Sequence, residues 1–95
     1  SATEEFERLT VVAMEKQFAV DVDPCFARWW AYEYMGLELT ALSLELRRTH
    51  AGYAGTADSL ERLGTRMWAN AMTLLPGAAA ACGVERRPMV SLSLS

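Results

Sequence analysis

PCFARWWAYEYMGLELTALSLELRRTH, residues 24–50, is the stretch on which the reading of this chain turns. Asp23 stands before it as a good N-cap, and Pro24 falls at the first helical position, where its missing N–H costs nothing. Only Gly36 interrupts an otherwise helix-compatible run as far as Thr49. Arg47, Arg48 and His50 then load the last turn with positive charge, and Gly52 is placed to end it. The spacing predicts one helix over 24–50, roughly 39 Å long at about 1.5 Å per residue.

The stretch is also aromatic. Phe26, Trp29, Trp30, Tyr32 and Tyr34 lie within nine residues of a chain that has three each of Phe, Tyr and Trp. At about 100° per residue, Phe26, Trp30, Leu37, Ala41 and Leu44 share one face within roughly 60°, with Tyr34 just beyond it. Tyr32, Met35, Leu39, Leu42 and Leu46 fall on the opposite side, and Trp29 sits apart. Glu38 and Glu45 lie in the polar arc between the faces. A surface helix has one apolar stripe, so this one is sandwiched between helices or covered in part by another chain. Five aromatic side chains ask for on the order of 1,000 Å² of cover, more than two short neighbours readily give.

Working outward, residues 4–20 read as an amphipathic helix. Phe6, Leu9, Ala13 and Val20 recur at helical spacing, Thr3 is the expected cap, and Glu4, Glu5 and Glu7 favour the first turn. A third helix is expected over 57–75, with Asp58 and Glu61 as a capping box and Leu60, Leu63, Met67, Ala71 and Leu74 as its stripe. Pro76-Gly77 is expected to stop it. Val90 to Ser95 alternates apolar and polar like a strand, but no second strand is evident to pair with it. The expectation is an all-α fold: a three-helix bundle or hairpin with a long central helix and an irregular tail. Residues 1–77 form the helical domain, and 78–95 a tail that is disordered or packs on a partner.

Composition narrows the function. Net charge is −3 and no basic stripe exists, so the electrostatic footprint of nucleic-acid binding is missing. The acidic start SATEEFER gives no signal-peptide pattern, and the longest uncharged run, Met67 to Val84, is broken by Asn70, Pro76 and Gly77; no membrane span is expected. Cys25 and Cys82 fit no metal spacing and are too few for a disulfide framework, which suggests reduced thiols in a cytoplasmic protein. Eight Arg against one Lys, with fifteen Ala, reads as the codon usage of a GC-rich genome. The single histidine, His50, has no nucleophile motif beside it, and its place at a helix C-terminus is reason enough for it. The reading leans against an enzyme, and no cofactor is expected.

Two functions remain open. One is a helical interaction module, a homodimer or an accessory subunit, associating through the aromatic face of helix 24–50; Trp, Tyr, Met and Arg are the types that interface cores collect. The other is a small domain that binds an apolar ligand, with or without simple acid/base catalysis, in a Trp/Tyr-lined pocket. Either way the candidate binding residues are Phe26, Trp29, Trp30, Glu33, Tyr34, Leu37, Tyr53 and Trp68. Glu33 lies inside the aromatic arc, so it must pair with an Arg, hydrogen-bond to a Tyr hydroxyl or Trp N–H, keep contact with water, or protonate. It is either a rim residue paired with an Arg of the third helix or the polar anchor of an apolar pocket.

Overall fold

Ser1 starts the first helix: its hydroxyl oxygen accepts from the Glu4 N–H at 3.2 Å. In the computed structural model, which describes residues 1–83 and 89–94, helix α1 spans Ala2–Phe18. It begins and ends two residues earlier than the pattern suggested, and Thr3 lies inside it. Ala19 terminates it with φ at 53°, the left-handed region, which costs an L-residue about 1–2 kcal/mol. That turn sends the chain into a short strand, β1 (Val20–Val22).

Asp23 caps as expected, accepting from the Cys25 N–H at 3.0 Å. A 3₁₀ turn at Pro24–Phe26 leads into α2, Ala27–Thr49. A second 3₁₀ turn, Ala51–Tyr53, runs straight into α3, Ala54–Cys82. Asp58 and Glu61 therefore lie inside α3 and cap nothing; both instead accept from Arg47, at 2.6 and 3.0 Å, tying the two helices across their turn.

Helix α3 passes through Pro76-Gly77 and has 29 residues against 23 for α2, so α3 is the longest helix. Proline removes one helical hydrogen bond and frees the carbonyl four residues earlier. That carbonyl belongs to Met72, a residue 73% exposed. Around the proline, Leu74, Gly77 and Ala78 line a cleft with Pro24, Cys25 and Trp29 at the start of α2, and four consecutive alanines favour helix.

The fold is all-α, three helices with one small antiparallel ribbon. The ribbon is built by the tail: β2 (Val90–Leu92) pairs with β1 in the register Val20↔Leu92, Asp21↔Ser91, Val22↔Val90. Asp23 N–H donates to the Met89 carbonyl and Ser93 N–H to the Ala19 carbonyl, extending the ladder at both ends. The strand alternation at 90–94 thus finds its partner within the chain, in Val20-Asp21-Val22; the expected helix over 4–20 ends at Val20, and residues 21 and 22 fall in the break after it. What was expected for 84–88 and 95 lies outside the described residues.

Small side chains seat α3 on α2. Ala57, Gly64 and Ala71, seven residues apart, are all buried on α3, and Gly36 and Ser43, again seven apart, are buried on α2. Ser43 Oγ donates to the Ala57 carbonyl at 2.7 Å. A Cβ on Gly64 would lie 2.8 Å from Thr40 Oγ1 and 3.2 Å from the Gly36 carbonyl oxygen. This is a close helix hairpin, and α1 packs on another side of α2 while hardly touching α3. The core is correspondingly thin. Met14, Val22 and Tyr34 form its buried cluster, with Val11, Val20, Ala27, Trp30 and Val90 partly buried around it.

The aromatics of 26–34 do not gather into one cluster. Tyr32 meets Phe6 of α1 at 6.0 Å between ring centroids, Tyr34 meets Phe18 edge-on at 6.1 Å, and Trp29 meets Trp30 at 4.7 Å. Helical spacing turns successive rings to different neighbours.

Candidate functional site

Because α1 and α3 sit on α2 without meeting, a groove opens between them with α2 as its floor. Its volume is about 650 Å³. Trp30, Glu33, Tyr34 and Leu37 rise from α2; Met14 and Phe18 come from α1, Trp68 and Met72 from α3, and Val20 and Val90 from the ribbon. Five of the eight residues singled out in the sequence, Trp30, Glu33, Tyr34, Leu37 and Trp68, therefore converge on one groove. Gly36 lets Trp68 do so: a Cβ there would stand 2.5 Å from the indole Cδ1.

The other three go elsewhere. Phe26 is buried, 2% exposed, and serves the core. Trp29 lines a separate, smaller cleft with Pro24, Cys25, Arg28 and Leu74. Tyr53 is 59% exposed and meets only the His50 ring, at 6.1 Å. Phe26 was expected on the face of Trp30 and Leu37, but it belongs to the 3₁₀ turn before α2, so α-helical spacing does not carry it there. Trp29 lies off that face, and Tyr53 lies past the end of α2. Sequence reasoning missed Met14, Phe18, Val20, Met72 and Val90 as lining residues; they reach the groove by tertiary packing alone.

Glu33 is the groove's one ionisable carboxylate, half-buried, and the expected Arg of the third helix does not reach it. No hydrogen bond or ion pair engages it among the described residues. Tyr34 is different. Its hydroxyl donates to Gln17 Oε1, and Gln17 Nε2 in turn donates to Glu38 Oε1 at 3.4 Å. Burial, and then the nearby Glu38 charge, push the Tyr34 phenol above its ordinary pKa. Its proton is therefore held, and it offers no base. Trp30 Nε1 is a buried donor with no acceptor among the described residues.

Beyond the groove, the same face of α2 continues uncovered. Leu37 is 52% exposed and Leu44 61%, with Ala41 exposed between them. On α1's side of α2 the polar chemistry is structural. Glu7 is buried, takes Arg28 Nε at 3.1 Å and the Tyr32 hydroxyl at 2.8 Å, and fixes α1 against α2.

Among the described residues no three His, Cys, Asp or Glu side chains group to hold a metal, and no helix is long and apolar enough to cross a membrane. Among the described residues Cys25 and Cys82 form no disulfide. The groove is apolar, with a single carboxylate and no nucleophile–base pair, an arrangement suited to binding. Comparison with protein-family models, with curated proteins and with solved structures finds no match to this chain.

Proposed function

We propose that this chain is a helical interaction module that associates with a second copy of itself through the uncovered face of α2. One observation carries the reading: α1 and α3 both pack on α2, hardly meet, and leave a third side of α2 bare from Trp30 to Leu44. Apolar side chains in such a row gain about 25 cal/mol per Å² when covered. The area is of the right size. The chain exposes 6298 Å², whereas a compact monomer of its mass exposes about 5,400 Å². The excess, about 900 Å², compares with the ~800 Å² that each partner buries in an interface of standard size.

Mutating the bare face tests this. Leu44→Glu places a charge on an exposed position that nothing in the fold needs. It is expected to return the protein to monomer mass in light scattering, with its helix content unchanged by circular dichroism. Leu42→Glu, equally exposed but on another side of α2, is expected to leave association intact. Loss of association in both variants, or in neither, would remove α2's bare face from the account.

A small apolar ligand is the second occupant the groove admits. Its volume lies in the range of ligand pockets, about 300–1,000 Å³, and Glu33 is a single polar group among apolar walls. A monomer whose Trp fluorescence is quenched by saturable binding of a small apolar compound would favour that reading.

A further inference from the structure

If the bare face of α2 is where two copies meet, its charges set how they meet; the inference rests on that reading. Along this face run Trp30, Glu33, Leu37, Ala41, Leu44 and Arg48, at steps of three and four residues that keep them in one stripe. Apolar side chains fill the middle, with an acid near one end and a base at the other. Glu33 has no partner among the described residues. Arg48 is 70% exposed and holds only Glu45, one turn back, in an exposed pair of the kind that contributes little.

We propose that two chains pair α2 antiparallel about a two-fold axis beside Ala41, so that Glu33 of each copy meets Arg48 of the other. With the axis between residues 40 and 41, Leu37 faces Leu44 of the second copy and Glu33 faces Arg48, both contacts occurring twice by symmetry. Ala41 lies at the axis, where a small side chain lets the helices approach. Leu44 and Arg48 of the second copy then enter the groove beside Trp30, where Glu33 has no cation among the described residues.

The alternatives are worse. Parallel pairing sets Glu33 against Glu33 and Arg48 against Arg48, like charges that an interface avoids. Moving the axis to Leu37 sets Glu33 against Ala41 and carries Arg48 past the start of the partner helix. Moving it to Leu44 carries Glu33 beyond the partner's α2 altogether. Among these arrangements, only the register centred beside Ala41 pairs both charges while keeping leucine on leucine.

Charge reversal tests the register on the whole chain. Sedimentation is used to measure the dimer dissociation constant of the unmodified protein, Glu33→Arg, Arg48→Glu and the double variant. Each single reversal is expected to weaken the dimer by on the order of tenfold or more, and the double variant to recover most of the loss. Singles that dimerise as tightly as the unmodified chain, or a double variant no tighter than the singles, would overturn the register while leaving self-association standing. An unmodified chain that is monomeric throughout overturns both. Should a reversal cost the fold, seen as lost helix content, the milder Glu33→Gln and Arg48→Gln cycle gives the same answer: coupling between the two substitutions supports the pairing, and strict additivity overturns it.

Discussion

Glu7 and Glu33 are both acids beside aromatic rings, and their surroundings give them opposite roles. Glu7 is 6% exposed, and Arg28 and the Tyr32 hydroxyl satisfy it. Removing it strands a buried phenol and frees a guanidinium that no longer pins α1. Glu7→Ala is therefore expected to cost about 1–3 kcal/mol, read by chemical denaturation. Glu33 has no such duty among the described residues. The sequence marked Glu33 through its place among the rings. It placed Glu7 only in the acidic first turn of a helix, because Arg28 and Tyr32 stand 21 and 25 residues away and only the fold joins them. Tyr32 adds a pH dependence. Burial first, and then the hydrogen bond to Glu7, raise its pKa above the ordinary tyrosine value, and burial does the same for Tyr34. A phenol with a raised folded-state pKa contributes stability that is fully present below about pH 10 and is lost as pH climbs through the folded value. Stability should fall in that alkaline range, and Tyr32→Phe should flatten the fall; an unchanged alkaline slope would contradict this.

At the scale of elements, the spacing of small residues governs how the helices approach. Sequence patterning located the three helices from their apolar periods, and it read α3 by the stripe Leu60, Leu63, Met67, Ala71 and Leu74. The contact with α2 runs along Ala57, Gly64 and Ala71, of which that stripe held only Ala71, because hydropathy passes over Ala57 and Gly64. The same geometry fixes the sign of two glycine substitutions. In both, alanine gains helix propensity of up to about 1 kcal/mol. Gly77 has open space around its missing side chain, so Gly77→Ala should stabilise by about 0.5–1 kcal/mol. At Gly64 the new methyl meets Thr40 Oγ1 at 2.8 Å and a backbone oxygen at 3.2 Å. Gly64→Ala should therefore destabilise by about 1–3 kcal/mol, the usual cost of overpacking. Thermal unfolding of the pair checks both signs. Pro76 shows the limit of punctuation as a guide: it lies inside α3, and the turn after it, Gly77 and Ala78, lines a cleft against the start of α2.

The whole molecule is drawn out. Its radius of gyration is 14.8 Å, against about 12.4 Å for a compact chain of this length, and its extents are 46 × 31 × 27 Å. That shape follows from a close α2–α3 hairpin with α1 and the ribbon on one side, and it exposes Leu37, Leu44, Met72 and Phe18. Periodicity revealed that α2 has two apolar faces. It could not reveal that α1 and α3 would leave the Trp30–Leu44 face bare, because that depends on the angle at which they cross. The central claim is that a second copy covers this face, and sedimentation equilibrium of the unmodified chain across the micromolar range tests it most directly. The expected result is a mass approaching twice 10.5 kDa, falling towards 10.5 kDa on dilution. A mass of 10.5 kDa at every concentration would contradict it.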